Sequence, residues 1–521
     1  MPDPYESKFR ICLVSDFFHP GMGGVEMHIY QLAECLLQAG HKVIVMTHFR
    51  GERHGVRYMP NGLKVYYMPF LPFHDNVTLP TLFSFFPLIR KILIREQIDV
   101  VHGHQATSAL ALECMFHAKT LGFKTVYTDH SLFGFADAAC IHVNKLLRFS
   151  LKNVDHKICV SHTNKENLVL RAALDPRGVS VIPNAVNTAG FLPDPSQRPP
   201  APTINIVVVS RLTYRKGIDL LVDAIPAICF RYPFVKWIVG GNGPKLLLLE
   251  EMIEREGLDE RVELLGGVPH DRVRDVLVRG HIFLNTSLTE AFCIAIIEAV
   301  ACGLRIVSTD VGGVPEVLPA HMITLAKPNS EAVVEALALV LDKGPAPPEE
   351  AFRFHEEVRE MYSWHDVAER TERVYQRVAA TPETDLRSRL LCFLSIGPVS
   401  GKLFMLIAAL DACFRFLLEW LQPASSIEVA AELPRCDLQL QARSKEKGRT
   451  REATEEEEEE EEKKKKEKTK ERSQGKEEEE EEENKDGEDG TEGREPRGHQ
   501  PANSLTSSHD QESHLLEQIK K

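Results

Sequence analysis

Short apolar runs alternate with segments of helical periodicity along most of the chain. Phe9–Ser15 is a mostly apolar run that predicts a buried strand, and Val25–Ala39 places its apolar residues on one helical face. Gly40 ends that helix, and Lys42–Thr47 is the next predicted strand. The same pattern predicts strands at Val65–Met68, Val100–His102, Thr125–Thr128, Lys157–Val160 and Val179–Ile182. Such alternation is typical of a parallel sheet with helices on both faces.

A proline-rich segment, residues 191–203, separates this pattern from a second one of the same kind. Its proline density predicts a stiff connector. Beyond it the sequence predicts a helix near Gly217–Phe230 and strands at Ile204–Val209, Lys236–Val239, Val262–Leu264, His281–Asn285 and Arg305–Ser308. We therefore predict two doubly wound, Rossmann-like α/β domains, residues 1–192 and 203–380, joined by a hinge at 193–202. Ligands of such sheets bind at the carboxyl ends of the strands, which predicts a site in the cleft between the domains.

The apolar segment Leu403–Leu421 lies within a predicted transmembrane or interfacial helix at 397–422. Its length is close to the roughly 20 residues that cross a bilayer. Asp411, Arg415 and Glu419 recur every four residues and so line one face of the helix. We expect a partner helix of a membrane complex to cover this polar face, and a helix packed in a soluble part of the protein is the alternative.

The C-terminal tail differs in composition from everything before it. From Thr454 onward it consists of glutamate and lysine runs with almost no apolar side chains before Leu515. Such a segment buries too little surface to offset its ordering entropy, so residues 436–521 are predicted to be disordered. The net charge of −14 averages this tail with the folded part and therefore says little about the domains.

The eleven cysteines are scattered, with no Cys-x-x-Cys pair and no cysteine or histidine cluster at metal-ligand spacing. This pattern fits reduced thiols in a cytosol-facing protein and predicts no metal site. The N-terminus has only a four-residue apolar run after Arg10, so a cleaved signal peptide is not expected.

Two glutamates mark the strongest candidate site. A strand ending at Asn285 runs through a short loop into a helix predicted to begin near Phe292, which places Glu290 at the helix mouth and Glu298 about one and a half turns inside. A helix N-terminus offers amide donors and partial positive charge to a diphosphate, and a nearby carboxylate accepts hydrogen bonds from sugar hydroxyls. Either glutamate alone is typical of a solvated helix, so the interpretation depends on further residues.

Three other motifs follow predicted strands in the same way. Arg211 and Lys216 come after a strand end, where two fixed cations neutralise a diphosphate leaving group without a metal. Gly23 and Gly24 belong to a glycine loop between the first strand and the first helix. His130 follows the strand Thr125–Thr128 and is predicted to reach the same cleft. Taken alone, each motif is equally typical of an ordinary turn, and their joint occurrence is what indicates a site.

Together these motifs resemble the retaining glycosyltransferases of family 4, which have the two-domain GT-B fold, over about residues 8–378. The resemblance implies that His130 and Glu290 act on the reacting donor sugar and that Glu298 binds the ribose of UDP. It further implies that Arg211 and Lys216 hold the diphosphate, while the backbone at 23–24 approaches the donor. No metal and no other cofactor is implied.

Segments 128–137, 214–220 and 283–292 resemble, more narrowly, a family of catalytic subunits that transfer N-acetylglucosamine to phosphatidylinositol. This resemblance implies UDP-GlcNAc as donor, phosphatidylinositol as acceptor, other membrane subunits as partners and no nucleic acid. It also implies a location at the endoplasmic reticulum membrane with the domains facing the cytosol. Another sugar donor or lipid acceptor, or a non-catalytic scaffold, remains an alternative.

The acceptor side is expected at segment 81–97, which mixes aromatic and basic residues, namely Phe83, Phe85, Phe86, Arg90, Lys91 and Arg95. That mixture predicts an interfacial helix over anionic headgroups. An ordinary packed helix of the first domain is the alternative.

Overall fold

Two large sheets organise residues 8–21, 23–74, 76–134 and 138–431, which the computed structural model describes. The predicted disordered tail at 436–521 lies outside the described residues and stays a prediction. Both sheets belong to one compact unit of the chain.

The first sheet has eight strands in the order β10-β9-β8-β7-β1-β2-β4-β3. All neighbours are parallel except β3, which is antiparallel to β4, and a separate hairpin pairs β5 with β6. The strands are β1 Arg10–Val14, β2 Lys42–His48, β3 Gly55–Tyr58, β4 Lys64–Met68, β5 Pro72–His74, β6 Val77–Thr78, β7 Val100–His104, β8 Lys124–Asp129, β9 His156–Cys159 and β10 Val179–Val181. The helices are α1 Gly24–Gln38, α2 Phe86–Arg95, α3 Ala109–Leu121, α4 Ala138–Leu151 and α5 His162–Ala172.

The second sheet has six parallel strands in the order β13-β12-β11-β14-β15-β16, which is the strand order of dinucleotide-binding folds. Its strands are β11 Ile204–Val209, β12 Val235–Gly240, β13 Val262–Gly266, β14 Ile282–Asn285, β15 Arg305–Thr309 and β16 Ile323–Ala326. The helices that follow the connector are α6 Ile218–Arg231, α7 Leu246–Glu256, α8 Val273–Leu277, α9 Ile294–Ala301, α10 Ser330–Leu341, α11 Pro348–Met361, α12 Trp364–Ala380, α13 Leu386–Leu391 and α14 Ser400–Leu421.

Helix α12 crosses back onto the first sheet, although the sequence analysis assigned residues up to 380 to the second domain. Trp364, Val374 and Tyr375 are buried in the hydrophobic core that includes the side chains of β1 and β2. The Tyr375 hydroxyl is 2.7 Å from Nδ1 of His102 on β7. The apolar face of α12 is therefore buried against the first domain, and hydrophobic periodicity alone does not specify which sheet a helix covers.

Helix α14 packs on the first domain, which its three charged residues contact, and Asp411 is the buried one of the three. Asp411 Oδ1 is 2.7 Å from Nδ1 of His117, and Arg415 Nη1 donates to the Thr120 carbonyl at 3.0 Å. Farther along, Glu419 pairs with Arg90 of α2. The three charges share one face, and each contacts α2 or α3 of the same chain, which favours the alternative of a helix packed on the protein itself. Within the described ranges, no helix is both long and apolar enough to span a bilayer.

Segment 81–97 forms the packed helix α2 rather than an interfacial one. Phe85 and Phe86 are buried in the first domain, and the Arg90 side chain is buried where it meets α14. Phe83 is partly buried and packs edge-on against Phe414 of α14. The aromatic side chains thus pack within the protein, which favours the alternative of an ordinary packed helix.

Candidate functional site

The strand order of each sheet reverses at one point, between β1 and β7 in the first sheet and between β11 and β14 in the second. Doubly wound folds bind ligands outside the carboxyl ends of the strands at such a reversal. The chain leaves β1 towards Gly23 and Gly24, leaves β11 towards Arg211 and leaves β14 towards Glu290. Candidate residues from both domains thus follow the strands where a ligand is expected.

On the second-domain side, Lys216 and Glu290 form an ion pair. The Ser287 hydroxyl donates to Glu290 Oε1 at 2.8 Å, and the Thr286 hydroxyl donates to the Lys216 carbonyl at 2.8 Å. Burial lowers the pKa of Lys216, but the Glu290 carboxylate outweighs burial and the net shift is upward. Gly217 has φ +65°, and a Cβ there would lie 1.8 Å from the Thr286 carbonyl oxygen. Only glycine therefore permits this close approach of the two loops.

Arg211 is exposed on the same side and forms no ion pair with the described residues. Its charge acts to lower the pKa of Glu26, although burial dominates and raises that pKa overall. Among the described residues, Arg211 is thus a cation without an ion pair, and it is close enough to Lys216 to influence the pKa of that lysine.

Glu298 lies one turn inside α9, which begins at Ile294 rather than near Phe292. Its Oε1 is 3.1 Å from Nε2 of His270, in the turn after β13. This hydrogen bond raises the pKa of His270. His270 was not predicted from the sequence, where its one signal is a position shortly after a strand end.

Gly23 and Gly24 begin α1 on the opposite side of the cleft. Gly23 has an extended backbone, and a Cβ on it would lie 2.6 Å from Oε2 of Glu26. A Cβ on Gly24 would lie 3.5 Å from Cδ1 of Ile294, the first residue of α9. The start of α1 therefore approaches the start of α9 across the cleft.

His130 is partly buried and lies against two other histidines. Its Nε2 is 3.3 Å from Nδ1 of His104, and its ring centroid is 4.6 Å from that of His28. The Nδ1 atom of His28 is 2.8 Å from Oδ1 of Asn184. Burial lowers the pKa of His28 to about 4 and shifts the pKa values of His104 and His130 well below the ordinary value. His130 is therefore a neutral hydrogen-bonding group at physiological pH.

Direct contacts join the two domains beside the cleft. The Glu316 carboxylate accepts hydrogen bonds from the backbone amides of His162 and Thr163 at 2.6 and 2.8 Å, at the start of α5. The Ser161 hydroxyl donates to the Ala291 carbonyl at 2.7 Å. These contacts fix the spacing of the two walls, and none of them was predicted from the sequence.

Two doubly wound sheets that face one cleft are the arrangement of the GT-B fold, and solved structures agree with that fold. A sucrose-phosphate synthase from Thermosynechococcus elongatus matches with a TM-score of 0.60 at 21% identity, over 72% of this chain and 100% of that chain. WaaG, a glycosyltransferase involved in lipopolysaccharide biosynthesis, matches with a TM-score of 0.54 at 16% identity, over 71% of this chain and 100% of that chain. The predicted GT-B fold is confirmed.

Sequence comparisons identify the family. Residues 48–137 match the family model described as PIGA (GPI anchor biosynthesis), and residues 194–361 match that of the group 1 glycosyl transferases. A phosphatidylinositol N-acetylglucosaminyltransferase subunit of Arabidopsis thaliana is 56% identical over 82% of this chain and 95% of its own length. The human protein of the same name is 52% identical over 81% of this chain and 87% of its own length. The chain belongs to this family of phosphatidylinositol N-acetylglucosaminyltransferase subunits, which confirms the predicted resemblance.

Proposed function

We propose that this protein transfers N-acetylglucosamine from UDP-GlcNAc to phosphatidylinositol with retention, the first step of glycosylphosphatidylinositol-anchor biosynthesis. Relatives at 51–56% identity are named for this transferase. The observation that carries the proposal is the free cation Arg211 beside the Lys216–Glu290 ion pair, after the strand ends β11 and β14. Two cations and a carboxylate match a diphosphate linked to a sugar.

Arg211 and Lys216 would hold the diphosphate, and Glu298 would accept hydrogen bonds from the ribose hydroxyls. The His270 contact keeps the Glu298 carboxylate oriented towards that role. Glu290 would contact the donor sugar once Lys216 turns to the phosphate. The preorganised cations Arg211 and Lys216 would stabilise the negative charge that develops on the departing diphosphate, so this scheme requires no metal or other cofactor.

His130 would donate a neutral hydrogen bond to the reacting sugar from the first-domain wall. The acceptor hydroxyl would attack on the face that the leaving phosphate occupies, and the phosphate would take its proton. Retention of the anomeric configuration follows from this same-face attack. Gly23 and Gly24 leave room for the donor because neither has a side chain.

The membrane contact is proposed at the outer face of α14. Its charged residues contact the first domain, and an apolar stripe remains exposed, with Trp420 78% and Leu406 54% accessible. The stripe also includes Val399, Leu403, Leu410, Leu417 and Leu421. Because phosphatidylinositol is a bilayer lipid, the enzyme must meet a bilayer surface, and an exposed apolar helix face is suited to lie in that interface. We propose the cytosolic face of the endoplasmic reticulum, with other membrane subunits as partners.

Transfer is tested with labelled UDP-GlcNAc and phosphatidylinositol in microsomes that contain the protein. Glu298→Ala is expected to abolish product formation while the protein still accumulates, and Glu251→Ala on the exposed surface of α7 is the control. Full activity of Glu298→Ala would contradict the proposed site. Competition by GDP-mannose rather than UDP-GlcNAc would favour a different donor, and failure to bind UDP in a titration would favour a scaffold.

Membrane contact is tested by flotation of the purified chain with vesicles that contain phosphatidylinositol. Leu406→Asp on α14 is expected to reduce the vesicle-bound fraction severalfold, because it places a charge in the exposed apolar stripe that is proposed to enter the membrane interface. Leu247→Asp, at an exposed leucine of α7, is the matched control. Equal binding by both variants would contradict the assignment of this face.

A further inference from the structure

Three histidines from separate elements meet at the first-domain wall of the cleft. His28 lies on α1, His104 ends β7 and His130 follows β8. One nitrogen from each ring lies within 4.8 Å of the others. The sequence contains no histidine cluster at ligand spacing, so only the fold brings these three rings together.

The spacing of the nitrogens approaches that of a metal site. Zinc binds imidazole nitrogens at about 2.0–2.1 Å, so two such ligands of a tetrahedral ion lie roughly 3.3–3.4 Å apart. Nδ1 of His104 and Nε2 of His130 are 3.3 Å apart.

The surroundings of His28 resemble the outer shell of a metal site. Its Nδ1 bonds to Asn184 Oδ1 at 2.8 Å, which leaves Nε2 with a lone pair directed away from that amide. Histidine ligands usually donate their second nitrogen to an oxygen in this way. A set of imidazoles without carboxylates suits zinc, copper, nickel or iron(II) better than magnesium or calcium.

We infer that His28, His104 and His130 form a binding site for a divalent transition-metal ion, with Zn²⁺ as the representative, and that occupation of this site inhibits glycosyl transfer. Binding draws the His130 nitrogen to the ion and away from the donor sugar. The inhibitory part rests on the proposed function, whereas the binding part does not.

Binding is measured by titrating the full-length chain, without a polyhistidine tag and with thiols kept reduced, against Zn²⁺ in competition with a coloured chelator. His28→Gln is expected to lower the Zn²⁺ affinity of the three-histidine site by at least about 100-fold. A loss of that size exceeds what removal of an outer-shell partner usually causes. His321→Gln removes an exposed histidine that pairs with Glu357 and is expected to bind as the wild type does. Equal Zn²⁺ affinity of His28→Gln and the wild type would overturn the site.

Asn184 provides a second variant that does not remove a ligand. Asn184→Asp is expected to raise Zn²⁺ affinity about 10-fold, because a carboxylate makes the His28 imidazole more basic, and Asn184→Ala is expected to lower it about 10-fold. A purely structural role for Asn184 predicts no gain from the aspartate. An unchanged affinity in Asn184→Asp would count against the site even if His28→Gln fails to fold.

Inhibition is measured as the ratio of transfer rates with and without Zn²⁺, each variant being compared with its own metal-free rate. The wild type is expected to lose at least about 10-fold at saturating Zn²⁺, the rate cost of one lost hydrogen bond to the sugar. His28→Gln is expected to require far more Zn²⁺ for the same loss.

Inhibition at the same Zn²⁺ concentration in both proteins would overturn the inhibitory role. Absence of transfer in metal-free wild type would instead contradict the proposed function, and the chelator titration would still decide the site.

Discussion

The two walls of the cleft differ in the side chains that they offer to the reacting groups of the donor. On the second-domain wall Lys216 and Glu290 form an ion pair, and Arg211 remains free of one among the described residues. On the first-domain wall His28 and His130 are neutral, because burial lowers the pKa of both. We therefore expect the second domain to stabilise the charge of the leaving group and the first domain to position the sugar.

The largest effect is expected from loss of a cation on the charged wall. Lys216→Ala should lower the transfer rate by about 10³-fold, since removal of one preorganised donor at developing negative charge has effects of that size. Rates are measured in microsomes, with Lys343→Ala at an exposed position as the control. A loss of less than about 10-fold would contradict the assignment of charge stabilisation to this wall.

A smaller effect is expected on the neutral wall. His130→Ala should lower the rate by about 10-fold, because one neutral hydrogen bond to the sugar is lost. The residual rate should keep the salt dependence of the wild type, as both cations of the opposite wall remain. Rates at low and high salt check this, and a loss as large as that of Lys216→Ala would remove the distinction between the walls.

The smallest effect is a pH dependence that arises on the charged wall alone. The hydrogen bond to Glu298 raises the pKa of His270, so the contact is fully present below the ordinary imidazole pKa and weakens as the pH rises through the raised value. UDP affinity should therefore fall by roughly three- to tenfold from mildly acidic to mildly basic pH. Calorimetric titration of His270→Gln should show no such fall. The same fall in that variant would point to another titrating group.

Much of the fold was predictable because central parallel strands are buried on both faces and form continuous apolar runs. Ile204–Val209 was predicted with the bounds that β11 has, and β2 extends one residue beyond its prediction. The edge strand β3 was missed because all of its residues are exposed and give no apolar signal. Residues up to 380 were assigned to the second domain, whereas α12 packs on the first sheet, because hydrophobic periodicity reveals an apolar helix face without revealing which sheet it covers.

The site residues likewise fall into those that local sequence marks and those that only long-range contacts bring together. Glu290, Arg211 and His130 were found because each lies shortly after a strand end, where local sequence marks the position. Their functional roles stay predictions. Glu316 was missed because its partners at the start of α5 are about 150 positions away in sequence, 154 for His162. The meeting of His28 with His130 was missed for the same reason, since long-range proximity leaves no local pattern.

The return of α12 to the first sheet determines how the cleft is able to open. The chain passes between the domains at 191–203 and again at Tyr362, between the end of α11 and the start of α12, where Tyr362 packs against the cores of both domains. Two chain connections restrict the motion of one domain relative to the other more than a single connection does, because both crossing points must stay nearly fixed. The Glu316 and Ser161 contacts also join the domains, so opening the cleft requires these hydrogen bonds to break as well as both crossings to flex.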